Sequence, residues 1–146
     1  MPTVSEPPTV SQMPSDGVRQ YLEIGTPTSG SGLYLTVNSC AVGEPVFWNV
    51  LDATKEQAIV WEGNRLKFQN CDQSLAATPS SCAAGSGLTL NVDNGSQVWS
   101  EQFSFGRLFL QNSGCPGLKL HMVGFISGSP AEVTDVGGIF VRFVTL

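Results

Sequence analysis

The strongest restriction on the fold is an internal duplication. From Leu33 onward the chain aligns with itself at an offset of 42, without gaps, over residues 33–70 against 75–112. Twelve pairs are identical: Leu33/Leu75, Thr36/Thr78, Ser39/Ser81, Cys40/Cys82, Ala41/Ala83, Gly43/Gly85, Asn49/Asn91, Val50/Val92, Arg65/Arg107, Leu66/Leu108, Gln69/Gln111 and Asn70/Asn112. Trp61 also meets Phe103. A third, weaker copy follows. Gly117-Leu118-Lys119-Leu120-His121 echoes Gly32-Leu33-Tyr34-Leu35-Thr36, and Asp135-Val136 falls where Asn49-Val50 and Asn91-Val92 do, with two inserted residues. Arg19-Gln20-Tyr21-Leu22 resembles Arg65-Leu66-Lys67-Phe68 and Arg107-Leu108-Phe109-Leu110. The chain thus parses into units 17–62, 63–104 and 105–146, and a period of this length signals a repeat architecture.

Within each unit the segments are short and strand-like. Leu33–Val37, Val46–Val50, Ile59–Trp61, Arg65–Gln69, Leu88–Val92 and Arg107–Gln111 are apolar, β-branched or aromatic, separated by Gly, Pro, Asn and Ser clusters. No window of helical length keeps a 3.6 period. Twelve short strands in three groups of four suit a closed barrel capped by hairpins, which leaves few exposed edges. A propeller would need more than three blades. The expected fold is all-β, a β-trefoil.

The charged fraction of 13% and net charge of −5 argue against nucleic acid, whose phosphates require clustered Lys and Arg. No apolar run reaches the roughly 18 residues that span a bilayer. Residues 1–16, with Pro-Thr-Val-Ser repeated around Pro7 and with Pro14 beyond, read as a flexible, polyproline-like tail. This stretch lacks a basic n-region and an apolar h-region, so no signal peptide is expected. Cytoplasmic residence and non-classical secretion both fit, unless a leader has been removed.

The segment Gln97-Val98-Trp99, followed by Phe105-Gly106-Arg107-Leu108, Cys115 and Leu118, resembles the Q-x-W signature of ricin-type lectin domains. The first unit offers Gln57-Ala58-Ile59-Val60-Trp61, and the third has no counterpart. The resemblance covers nearly all of 17–146 and implies a trefoil that binds a glycan or glycoprotein, without catalysis or a cofactor. Family sites use a stacking aromatic on the third strand, a carboxylate on the second, and polar groups after the third. Carried over, these imply a shallow sugar site on the first unit, with Trp48 as the stacking aromatic and Thr36, Asn38, Asp52 and Gln57 around it. Thr36 stands where the family has an aspartate, which argues against strong galactose selectivity. The equivalent positions, Leu90 with Thr78 and Thr134 with His121, lack the aromatic. The competing expectation is that Trp48 belongs to the core, as strand tryptophans commonly do.

Four cysteines, Cys40, Cys71, Cys82 and Cys115, allow three pairings. Joining Cys40 to Cys71 and Cys82 to Cys115 best respects the pseudo-symmetry. A rival joins Cys71 to Cys82 and leaves Cys40 with Cys115, and in a reducing compartment all four stay thiols. No Cys or Cys/His spacing suggests a metal site, and His121 has no carboxylate or cysteine at ligand spacing. Nucleophile elbows and phosphate-cradling loops are absent. Asn94-Gly95-Ser96 is a glycosylation sequon and equally a turn signal. Beside a lectin, two other readings fit: a protease inhibitor presenting the Gly/Ser-rich loops Thr26–Gly32 or Gly124–Ala131, and a protein-interaction module with no small ligand. Flexible loops are poorly pre-organised for inhibition.

Overall fold

The computed structural model describes residues 9–11, 14, 17–93, 97–124 and 126–145. Its strands are β1 (Thr9–Ser11), β2 (Arg19–Thr26), β3 (Ser29–Val37), β4 (Val46–Asn49), β5 (Ile59–Glu62), β6 (Arg65–Phe68), β7 (Leu75–Pro79), β8 (Leu88–Val92), β9 (Trp99–Ser104), β10 (Arg107–Asn112), β11 (Lys119–Met122), β12 (Ala131–Thr134) and β13 (Val141–Thr145). From β2 onward they form three groups of four.

The first and fourth strands of each group build a barrel. β2 pairs with β5, β5 with β6, β9 with β10, β10 with β13, and β13 with β2. The seam between β6 and β9 carries a hydrogen bond from Trp99 N to Asn64 O of 2.8 Å. The second and third strands form the hairpins β3–β4, β7–β8 and β11–β12 that cap one end. The fold is a β-trefoil.

The cap shows the threefold most clearly. Gly43 N donates to Leu90 O at 2.7 Å, Gly85 N to Val133 O at 2.8 Å and Gly128 N to Trp48 O at 2.7 Å. Each third strand answers: Leu90 N bonds Glu44 O, Val133 N bonds Ser86 O and Trp48 N bonds Ser129 O. The three glycines have φ of +85°, +86° and +94°, a left-handed turn that a side chain would strain. This ring fixes the third copy: Val133, not Thr134, matches Trp48 and Leu90. A one-residue difference moves a strand residue to the opposite face. Thr134 is half-exposed accordingly.

Alternation along the strands places Leu22, Leu35, Trp48, Ile59, Leu66, Phe68, Leu90, Trp99, Leu108, Leu110, Leu120, Val133 and Phe143 in one core. Two disulfides, Cys40–Cys71 and Cys82–Cys115, tie the loop before a third strand to the loop after the next unit's first strand. The first unit has no such bond in its β2–β3 connection, which is a longer hairpin. There Glu23, 3% exposed, pairs with Arg142 Nε at 2.7 Å and accepts Gly32 N at 2.9 Å. Gly30 packs against that pair so closely that a Cβ would overlap both side chains.

Within the 1–16 stretch expected as a flexible tail, Thr9–Ser11 instead pair antiparallel with Thr145–Phe143 of β13. Their backbone groups complete ladder bonds that β13 leaves open on that side. The remainder of the tail expectation, apart from Pro14, lies outside the described residues, as does the Asn94 sequon. Turns at 63–64 and 105–106 join the units, each with two positive-φ residues, the hairpin geometry that matches strand twist.

Candidate functional site

Alternation and register decide where the expected site residues go. On β4, Val46 and Trp48 point inward, while Phe47 and Asn49 are half-buried on the outer face. Trp48 is 0% exposed, faces Leu35 across the ladder, and its Nε1 donates to His121 O at 3.3 Å. An indole with no exposed surface presents no face to a sugar, so Trp48 is core and not a stacking platform. Thr36 is also fully buried; its hydroxyl donates to Tyr34 O at 2.7 Å and accepts from Gln57 Nε2 at 3.1 Å.

Gln57 is a buried clamp. Its Nε2 also donates to Val50 O at 2.8 Å, and its Oε1 accepts Asp52 N at 2.9 Å. Gln97 repeats the first of these, donating to Val92 O at 2.8 Å. Ala58 O and Val98 O each accept a backbone N–H, from Gln69 and Ser113. Gln57-Ala58-Ile59 is therefore the structural counterpart of Gln97-Val98-Trp99. The gapless offset of 42 hides a two-residue shift there, taken up by a longer β9. The glutamine in both units braces the loop after the third strand.

What Gln57 braces is a surface groove of about 430 Å³ on the first unit. Tyr21 and Arg19 enter it from β2, Leu51, Asp52 and Glu56 from the braced loop, and Asn70 from the turn after β6. Tyr21 is half-buried, and Tyr34 supports it edge-on at 5.3 Å. Burial and the neighbouring Glu23 carboxylate hold the Tyr34 hydroxyl above its ordinary pKa. Asn70 Nδ2 donates to Glu56 Oε2 at 3.0 Å. Asp52 Oδ1 accepts both the Thr54 hydroxyl at 2.6 Å and the Thr54 N–H at 2.9 Å. These bonds, the hydroxyl foremost, hold the Asp52 carboxyl below its usual range. Asn38 is exposed and accepts Lys55 Nζ at 2.7 Å, which places that ammonium 5.9 Å from the Phe47 ring centroid.

Of the five expected sugar-site residues, the structure brings Asp52 and Gln57 to this groove. Asn38 stands one contact away through Lys55, which also lines it. Thr36 supports it from beneath and Trp48 lies in the core. Sequence reasoning missed Arg19, Tyr21, Glu56 and Asn70. Tyr21 had a signal in the alternation Gln20-in, Tyr21-out, Leu22-in, whereas Asn70 arrives from the next unit. His121 is half-buried with its Nδ1 unpartnered, and among the described residues no group of three or more His, Cys, Asp or Glu could hold a metal. The loops considered for protease inhibition are stitched down: Ser127 Oγ donates to Asn49 Oδ1, Gly128 joins the cap ring, and Ser31 Oγ donates to Ile24 O at 2.6 Å.

No family model matches the chain, and no curated protein matches it. Solved structures do. A mosquitocidal holotoxin superposes with a TM-score of 0.68 at 15% identity, over 89% of this chain and 17% of that one. An agglutinin from Abrus precatorius gives 0.62 at 14%, over 86% of this chain and 47% of that one. ThreeFoil, a designed three-fold symmetric protein, gives 0.62 at 16%, over 90% of this chain and 100% of its own length. At such identities the likeness concerns the fold. The chain spans about half of the agglutinin and under a fifth of the holotoxin.

Proposed function

We propose that this trefoil is a non-enzymatic carbohydrate-binding protein, a lectin, whose site is the first-unit groove. The observation that carries the reading is the composition of that groove. One braced aromatic, Tyr21, stands beside Arg19, Asp52, Glu56 and Asn70, planar polar groups of both hydrogen-bonding senses. A sugar ring has an apolar face and a rim of hydroxyls, so it needs this pairing of a ring surface with fixed donors and acceptors. Asp52, held ionised by Thr54, accepts from hydroxyls; Arg19 donates. The structural likeness to an agglutinin is in keeping with this reading.

The test is a glycan array with the wild-type protein and Tyr21→Ala. Glycan binding that Tyr21→Ala abolishes supports the proposal. No binding to any glycan, or binding indifferent to the substitution, sinks it. A second reading, docking to a protein, is favoured by Phe105. This residue is 100% exposed at the β9–β10 turn with φ +52°, a conformation costly for a bulky side chain.

A further inference from the structure

The third unit carries a second cleft, of about 140 Å³, where the repeat places the counterpart of the first groove's aromatic. Phe109 stands where Tyr21 does and Lys119 where Tyr34 does. Arg107 corresponds to Arg19. Phe109 and Phe140 meet edge to face with centroids 6.5 Å apart, forming an apolar corner. The floor is Gly137-Gly138, and Ser104 and Lys119 supply the polar wall. Lys119 runs along the floor: a Cβ on Gly138 would come within 2.6 Å of Lys119 Cβ and 3.1 Å of its Cδ. The cleft stays open because position 138 has no side chain.

Charge separates the two sites. The first groove includes Asp52 and Glu56, whereas no carboxylate lines the second. Among the described residues no acidic group lies within ion-pair distance of Lys119. The Arg107 guanidinium lies 5.6 Å from the Phe140 ring centroid, adding positive charge against one wall. An ammonium left without a partner beside an apolar corner favours an anion with an apolar face. At ~30 Å³ per water the volume equals roughly four or five waters, the scale of one small ring.

We propose that this cleft binds a six-membered ring bearing a carboxylate, of which a uronic acid is the saccharide form. The ring packs in the Phe109–Phe140 corner, and the carboxylate accepts from Lys119 and the Ser104 hydroxyl. The proposal stands independently of the first groove.

A residue-resolved ¹H–¹⁵N titration with D-glucuronate tests it, with D-glucose as the neutral control and Lys119→Met as the variant. Methionine keeps an unbranched stem over Gly138, and the spectrum itself reports whether the variant folds. The expected result is saturable shifts at Ser104, Lys119, Gly137 and Gly138. Losing one charge-assisted hydrogen bond weakens affinity by at least about tenfold in Lys119→Met, and glucose suffers similarly against the wild type. Equal response to glucose and glucuronate overturns the proposal. So do shifts confined to residues 19–21, 51–58 and 70, which report the first groove alone, and the absence of saturable shifts at tens of millimolar.

Discussion

Trp48→Ala separates the core role of this residue from a binding role. Trp48 is fully enclosed, faces Leu35 on β3, and lies under the unit-three loop through Trp48 N to Ser129 O and Gly128 N to Trp48 O. Truncating a buried aromatic to alanine costs about 3–5 kcal/mol, from lost transfer energy and the residual cavity. Losing the Nε1 donor leaves His121 O without that bond, a further loss within the same range. For a domain of this size each kcal/mol lowers Tm by roughly 2–4 °C, so the variant melts roughly 6–20 °C below wild type. Urea denaturation by circular dichroism, with disulfides intact, measures the free energy directly. Phe47→Ala, on the outer face of the same strand, serves as comparison and loses less. A Trp48→Ala protein as stable as wild type but deficient in glycan binding would refute the reasoning.

Other outcomes follow from the same contacts. The two disulfides close chain separations of 31 and 33 residues, so removing either pair by Cys→Ala lowers stability by a similar amount, about 2–4 kcal/mol, in denaturant melts. A markedly unequal loss contradicts their equivalence. Gly30→Ala drives a methyl into the buried Glu23–Arg142 pair, and overpacking costs about 1–3 kcal/mol; unchanged stability would show that the pair yields readily. Thr54→Val removes the hydroxyl that chiefly depresses the Asp52 carboxyl, so its titration moves up toward the ordinary aspartate value in carbon-detected NMR. Because the folded pKa is lowered, stability from this bond is present above the unfolded-state pKa and lost as pH falls through the folded one. Any pH effect of Thr54→Val is therefore confined to the acidic limb.

The trefoil was legible because three features agree: a period near 42, strand-length apolar segments, and turn residues between them. The site was less so. Phe47 and Trp48 are adjacent aromatics on one strand, and alternation alone does not say which faces inward until the cap ring sets the phase. The third repeat lacks the identities that align the first two, so Thr134 and Val133 were separable only through the hydrogen bonds of Gly85 and Ser86. A matched two-residue change, a shorter loop before Gln97 and a longer β9, left the gapless alignment of the duplication intact while moving Gln57 from Trp99 onto Gln97. The groove joins β2, the 50–58 loop and Asn70, which lie far apart in sequence. Such a meeting is a property of the closed barrel, and no local motif encodes it.

The most direct test of the central claim is where a bound sugar perturbs the protein. Titrating the best glycan from the array into ¹⁵N-labelled protein is predicted to shift Tyr21, Asp52, Glu56 and Asn70 together, with one dissociation constant, and to lose those shifts in Tyr21→Ala. Shifts that avoid these residues, or survive the loss of the Tyr21 ring, would contradict a carbohydrate site in the first-unit groove.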